Sequence, residues 1–177
     1  MVTCVLPALF VVCASAARAE TSREYSIKAG CLLNFARFTE WPAEAFADKA
    51  SPIVIGILGT DPFGKVLDEI VRDESVRGRR LVVKRYERVE EIETCHILYL
   101  GQSEGDRLEA TLAALKEKPV LTVSDIEGAA VRGVMIRLVN EQNRIRFRIN
   151  LDSAKAARVT LSSKLLRAAD IVPTEKK

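Results

Sequence analysis

An apolar run, a turn and an amphipathic segment follow one another in residues 53–71, IVIGILGTDPFGKVLDEIV. The run Ile53–Leu58 is nearly unbroken, which is typical of a strand buried on both faces of a parallel sheet. Asp61 suits the N-cap of a following helix, and Pro62 suits its first position. The apolar positions after them are spaced as on one face of a helix: Phe63, Val66, Leu67, Ile70 and Val71. This segment therefore predicts a strand and a helix that pack on the same sheet.

The turn of this unit contains most of a phosphate-binding pattern, because residues 59–65, GTDPFGK, match G-x-x-x-x-G-K. The next residue is Val66, where the motif needs a hydroxyl group to hold magnesium. Pro62 lacks an amide donor, and Asp61 puts a negative charge where phosphates would lie. We therefore interpret the segment as an ordinary strand–turn–helix unit and not as a site of nucleotide hydrolysis.

Segments with the patterns of strands and helices alternate along most of the chain. Strands are predicted at residues 80–86, 95–100 and 119–123, and a helix capped by Ser103 precedes the last of them. A first helix is predicted at residues 24–41, where Pro42 ends it. Alternating strands and helices are typical of an α/β fold with a largely parallel sheet flanked by helices.

The pattern changes toward the C-terminus. Residues 134–139 and 144–150 flank the polar turn NEQN and predict an antiparallel hairpin added to the sheet. Short helical pieces are predicted in residues 152–169, with Ser162 as a cap. The chain of 177 residues contains no linker or internal repeat, so we expect one domain over residues 20–177.

Residues 1–19 have the pattern of an export signal. The apolar run at residues 5–12 is too short to span a membrane, and ARA at residues 17–19 is an A-x-A cleavage pattern. A lipoprotein signal using Cys13 is the alternative, but the residues before it, FVV, lack the small side chains of such a site. We expect an exported protein whose signal peptide is cleaved after Ala19.

The reactive residues indicate a protein without catalytic chemistry. His96 is the one histidine, and it follows Cys95 on a predicted strand, where adjacent side chains point to opposite faces. A cysteine–histidine pair, a catalytic triad and a histidine-rich metal site are therefore not expected. The 27 basic and 24 acidic residues leave no electrostatic footprint for nucleic acid. We expect a non-enzyme without cofactor or bound metal.

A ligand crevice is one candidate site. Ligands of parallel α/β sheets bind beyond the carboxyl ends of the strands, where an opening helix can also hold an anion. The turns that follow the predicted strands supply the candidate residues Gly59, Asp61, Gly64, Ser124 and Asp125.

Arginines in the predicted hairpin form a second candidate site. Arg144, Arg146 and Arg148 alternate with apolar residues, so they would line one face of a strand about 6–7 Å apart. Arg137 on the partner strand is expected to join them. This face has two interpretations: a charged surface that prevents edge-to-edge aggregation, or a docking surface for an acidic partner or ligand.

Two cysteines, Cys31 and Cys95, remain after removal of the signal peptide. Both are predicted to face the core, and an oxidising compartment permits a disulfide between them. Two free, buried thiols are the other interpretation, because reduced cysteine behaves as a small apolar side chain. The sequence leaves both open.

The order of the motifs resembles that of the YfiR-like family of small periplasmic regulatory proteins. The stretches that carry the resemblance are YSIKAGCLLNFARFTEWP, IVIGILGTDPFG, CHILYLG, PVLTVSD, GVMIRLVNEQNRIRFRINLDSA and LSSKLLRAA. The resemblance implies a non-enzymatic, usually homodimeric regulator that restrains a membrane-bound diguanylate cyclase through its periplasmic portion, and so tunes cyclic-di-GMP signalling and biofilm formation. Other members resemble input modules for histidine kinases. The alternative function is a periplasmic sensor or carrier that binds an anion or nucleotide in the strand-end crevice.

Three positions depart from the family pattern. Family members commonly have a cysteine in the first strand to pair with the equivalent of Cys95, and Gly56 stands there in this chain. A usual double glycine is replaced by Gly133-Val134, and Arg148 stands where the family often has an acidic residue. Redox control and a shared arginine site are therefore not carried over from the resemblance.

Overall fold

A computed structural model describes residues 9–174, with side chains described from Glu20 onward. The helices are α1 (Leu9–Phe38), α2 (Lys65–Val71), α3 (Leu108–Ala114), α4 (Leu151–Ala156) and α5 (Ser163–Arg167). The strands are β1 (Thr39–Glu40), β2 (Ile53–Leu58), β3 (Ser75–Val76), β4 (Arg79–Tyr86), β5 (Ile97–Leu100), β6 (Leu121–Ser124), β7 (Ile136–Glu141), β8 (Arg144–Ile149), β9 (Thr160–Leu161) and β10 (Ala169–Ile171). Within these residues, no helix combines the length and apolarity that a membrane crossing needs.

Eight strands form the main sheet, in the order β10-β8-β7-β6-β5-β2-β4-β3. The five strands from β4 to β7 in this order run parallel, and β8 pairs antiparallel with β7. The predicted α/β class with a C-terminal hairpin is therefore confirmed. A second small sheet, β1 with β9, was not predicted.

The sheet has a separate apolar core on each face. In β2, Ile53, Ile55 and Ile57 join a cluster that includes residues of α1 and α2. Leu58 points to the other face, where it joins a cluster with Leu108 of α3. All six residues of β2 are buried, as the unbroken apolar run predicted. Full burial of one aliphatic side chain stabilises the fold by about 1.5–3 kcal/mol. Because β2 contributes buried side chains to both cores, it stabilises the packing on both faces of the sheet.

The first helix differs from its prediction at both ends. It ends at Phe38 and not at residue 41, because Thr39 and Glu40 leave the helix to pair with β9. At its start, the helical backbone runs from Leu9 through Ala19. Residues 1–8 and the side chains of the predicted signal peptide, including that of Cys13, lie outside the described part. Cleavage after Ala19 stays a prediction, and it would leave residues 20–38 of the helix.

Two predicted helix caps were wrong. The carboxylate of Asp61 accepts the backbone N–H groups of Phe63 and Gly64, and this turn delays the start of α2 to Lys65. The hydroxyl of Ser103 accepts the N–H of Thr60 at 2.9 Å instead of capping a helix. The predicted cap at the last helix is confirmed, because the hydroxyl of Ser162 accepts the N–H of Leu165.

His96 joins the loop before β2 to the sheet. Its Nδ1 accepts the N–H of Val54 at 3.0 Å, and its Nε2 donates to the carbonyl of Ala45 at 3.1 Å. The ring also stacks on Phe46, with centroids 4.4 Å apart. Burial lowers the pKa of His96 below its ordinary value. The histidine is therefore a structural group in its neutral form.

We expect this histidine to make stability depend on pH. In the unfolded chain its pKa is about 6.5, so below that pH the unfolded state binds more protons than the folded state. The free energy of unfolding should fall by up to about 1.4 kcal/mol per pH unit below that point. Urea unfolding at neutral pH and about one unit below the unfolded pKa measures this. A His96→Phe variant should lose the dependence, and a wild-type stability that is flat over this window would contradict the assignment.

Candidate functional site

The carboxyl ends of β2 and β5 form the predicted crevice. Strand β4 lies on one side of β2, and the next strand of the main parallel sheet, β5, lies on its other side. The strand order therefore reverses between β2 and β5. In open α/β sheets, ligands bind outside the strand ends at such a reversal. The turns that would border the ligand begin at Gly59 and Gly101.

The turns at Gly59 and Gly101 approach each other closely. A Cβ added to Gly101 would lie 2.6 Å from the carbonyl oxygen of Thr60. A Cβ added to Gly59 would overlap the hydroxyl of Ser103 and lie 2.5 Å from the carboxylate of Glu104. The two turns thus pack directly on each other, and glycine is required at both positions by the close approach.

The other crevice candidates have structural roles. Arg85 binds the carboxylate of Asp61 at 2.7 Å and the carbonyl of Gly64 at 2.9 Å. The hydroxyl of Ser124 donates to the carbonyl of Leu100 at 2.8 Å and accepts the N–H of Ile126 at 3.1 Å. These groups are already used in bonds that fix the turns.

Asp125 belongs to a buried charge cluster that sequence reasoning missed. Lys28 Nζ lies 2.5 Å from Asp125 Oδ2 and 2.5 Å from Glu24 Oε1. The hydroxyl of Tyr25 donates to Asp125 Oδ2 at 3.0 Å, and Gln102 donates to Oδ1 at 2.7 Å. The side chains of Lys28 and Asp125 are only 4% and 5% exposed. Helix α1 therefore lies over the carboxyl end of β6 and is held there by charge.

Lys28 is the one cation of this cluster, and it faces the two carboxylates of Asp125 and Glu24. Burial alone would raise the pKa of Asp125, but the hydrogen bond and charge of Lys28 outweigh it and the pKa lies below its ordinary value. Burial raises the pKa of the Tyr25 phenol and, more strongly, that of Tyr99. An ionised acid paired with a lysine beside protonated phenols offers no free base or nucleophile, so the cluster is structural.

Removing one partner of this pair should strongly destabilise the fold. Lys28→Met leaves the Asp125 carboxylate buried without its cation, a change that typically costs about 3–5 kcal/mol. The matched control is Arg158→Met, which breaks the 57%-exposed pair with Glu44 and should cost about 0–1 kcal/mol. Urea unfolding at neutral pH measures both. A Lys28→Met cost no larger than the control's would contradict this role.

The four hairpin arginines lie on one face of the sheet. Arg137 of β7 is directly opposite Arg148 of β8, and Arg144 is opposite Glu141. The residues that alternate with them, such as Leu138 and Ile149, join the core that includes α1. Arg137, Arg144, Arg146 and Arg148, which we call the arginine face, therefore point away from α1.

Positive charge on the arginine face is only partly compensated. Arg148 pairs with Glu141 at 3.2 Å, with both side chains more than 40% exposed. Arg144 and Arg146 are exposed and have no ion pair among the described residues. The Nε of Arg137 is buried without a hydrogen-bond partner. Asp170 of β10 is the residue opposite Arg148 on its other side.

The two cysteines are free and lie on opposite faces of the sheet. Cys31 packs against the core under α1, whereas Cys95 belongs to the core under α3. Burial raises the pKa of the Cys95 thiol to about 12 and that of Cys31 to about 11. Both thiols face an apolar core, as predicted. The sequence did not reveal that the sheet has two separate cores, one on each face. A Cβ at Gly56 would lie 2.8 Å from Cys95 Sγ, so the position at which the family commonly has a cysteine does face this thiol.

Comparison with known proteins gives one family. Among the described residues, no three acidic, cysteine or histidine side chains are placed to hold a metal ion. No curated protein matches the chain. The model of the YfiR/HmsC-like family matches residues 25–170 of the 177. This match includes the whole parallel sheet, the hairpin, Lys28 and Asp125. The chain belongs to the YfiR/HmsC-like family.

Proposed function

We propose that this protein is a periplasmic regulatory binding protein that restrains or tunes a membrane diguanylate cyclase by contacting its periplasmic sensor portion. Membership of the YfiR/HmsC-like family supports the general class, a periplasmic regulator and not an enzyme. The observation that carries the docking proposal is the arginine face, which is positive, exposed at Arg144 and Arg146, and incompletely paired. A homodimer, cleavage after Ala19 and a role in biofilm control are further predictions.

Like charges directly opposite each other on neighbouring strands destabilise a sheet. Arg137 and Arg148 are such a pair, and Arg144 and Arg146 add exposed charge beside them. An acidic partner surface would relieve the repulsion and accept charge-assisted, two-point hydrogen bonds that arginine forms better than lysine does.

The core on the α3 side lies mainly away from the hairpin strands. That cluster is formed mainly by β2, β5, α3 and the segment before β7. An antiparallel hairpin can leave one face in contact with water, and Arg144 and Arg146 on this face are exposed. The alternative, a ligand in the strand-end crevice, has less support, because the turns at Gly59 and Gly101 pack directly on each other.

Reversing charge on the arginine face should weaken binding of the partner. The variant Arg144→Glu/Arg146→Glu places like charges against an acidic surface, which costs several kcal/mol, or roughly a hundredfold or more in Kd. The partner is first captured from solubilised membranes with the mature protein and identified by mass spectrometry. Its purified periplasmic portion is then titrated at low and high salt.

The matched control is Arg72→Glu/Arg80→Glu, which changes the net charge equally at exposed arginines near the other edge of the sheet. Circular dichroism checks that both variants fold. We expect the control to bind within about twofold of wild type. Equal affinities of the two double variants would remove the arginine face as the docking surface, and capture of no cyclase or kinase would contradict the function itself.

A further inference from the structure

A cavity of about 640 Å³ lies at the amino-terminal ends of the strands. The turns at Gly59 and Gly101 lie at the opposite, carboxyl-terminal ends. The connection from β4 to β5 contains only a short 3₁₀ turn, Val89–Glu91. In a parallel sheet a helix usually covers each face, and this connection is too short to supply one. The α3-side face of β4 is therefore open near Val82 and Lys84, and buried Val54 of β2 lies beneath them.

The wall of this cavity is largely apolar. Val54, Val82, Ile92, Val120 and the thiol-bearing Cys95 line it, together with small residues of the loop before β2. The volume is in the range of small-molecule sites, which are typically lined by apolar side chains with a few polar groups. Because burial raises the pKa of Cys95 to about 12, its thiol is protonated at neutral pH and serves as an apolar wall.

Charged groups at the cavity define the ligand that it would take. Lys84 and Lys118 both line it, both are exposed, and neither has an ion pair or side-chain hydrogen bond among the described residues. Of the two carboxylates there, Glu44 is already paired with Arg158 at 2.5 Å. Glu93 alone opposes two available ammonium groups, so the cavity favours a negatively charged ligand.

We propose that this cavity, which we call the amino-end pocket, binds a small organic anion with an apolar body. The apolar part would lie against Val54, Val82 and Val120, and the anionic group would bind Lys84 and Lys118. Ligand binding here is independent of the arginine face, which lies on different strands.

Isothermal titration with naphthoate, an aromatic carboxylate, tests the site on the mature protein. Naphthylmethanol is the uncharged comparison, and its binding should be weaker by about tenfold or more, since a hydrogen bond to a charged group contributes about 1.5–3 kcal/mol. The double variant Lys84→Gln/Lys118→Gln should bind naphthoate more weakly than wild type by a similar factor. The control Lys65→Gln/Lys155→Gln removes the same charge from exposed positions on α2 and α4 and should bind as wild type does.

Chemical-shift changes in labelled protein locate the bound probe. We expect them at Val54, Val82 and Val120, and not on the hairpin. Three results would each overturn the proposal. They are no naphthoate binding at millimolar concentration, equal affinity for naphthoate and naphthylmethanol, or an equal loss of naphthoate affinity in the two double variants. Because both lysines are exposed, these variants should fold, and urea unfolding confirms this.

Discussion

The ion pair between Lys28 and Asp125 joins the first helix to the sheet in a place closed to water. Their side chains are 4% and 5% exposed, so each charge depends on the other for solvation. Tyr25 and Glu24 on the same helix add bonds to the pair. At its other end, α1 continues into β1, which pairs with β9. The helix is thereby fixed across one face of the sheet, and the core beneath it depends on that position.

This arrangement decides which surfaces remain available. Helix α1 and the packed turns at Gly59 and Gly101 occupy the carboxyl ends of the strands, where an α/β protein usually binds its ligand. The arginine face of the hairpin and the amino-end pocket lie away from these turns. The packed turns contribute to stability, and we propose that the hairpin provides the recognition surface. A regulator that binds a partner and performs no chemistry is consistent with such a division.

Local patterns in the sequence predicted the sheet, because the burial of β2 and the alternation of β8 are set by neighbouring residues. The end of α1 was missed because Thr39 and Glu40 pair with a strand far along the chain. The start of α2 was missed because Asp61 uses its carboxylate in a turn before the helix. Lys28 did give a signal: it lies on the apolar stripe of α1, where a lysine needs a buried partner. Its partner, Asp125, could be known only from the fold.

The central claim is that a membrane signalling partner binds the hairpin through its arginine face. Hydrogen–deuterium exchange of the mature protein, alone and in complex with the partner's periplasmic portion, tests this most directly. We expect slower exchange in residues 136–149 on binding, with little change in α2 and β4. Protection confined to α2 and β4, or to the amino-end pocket, with unchanged exchange in residues 136–149, would contradict it.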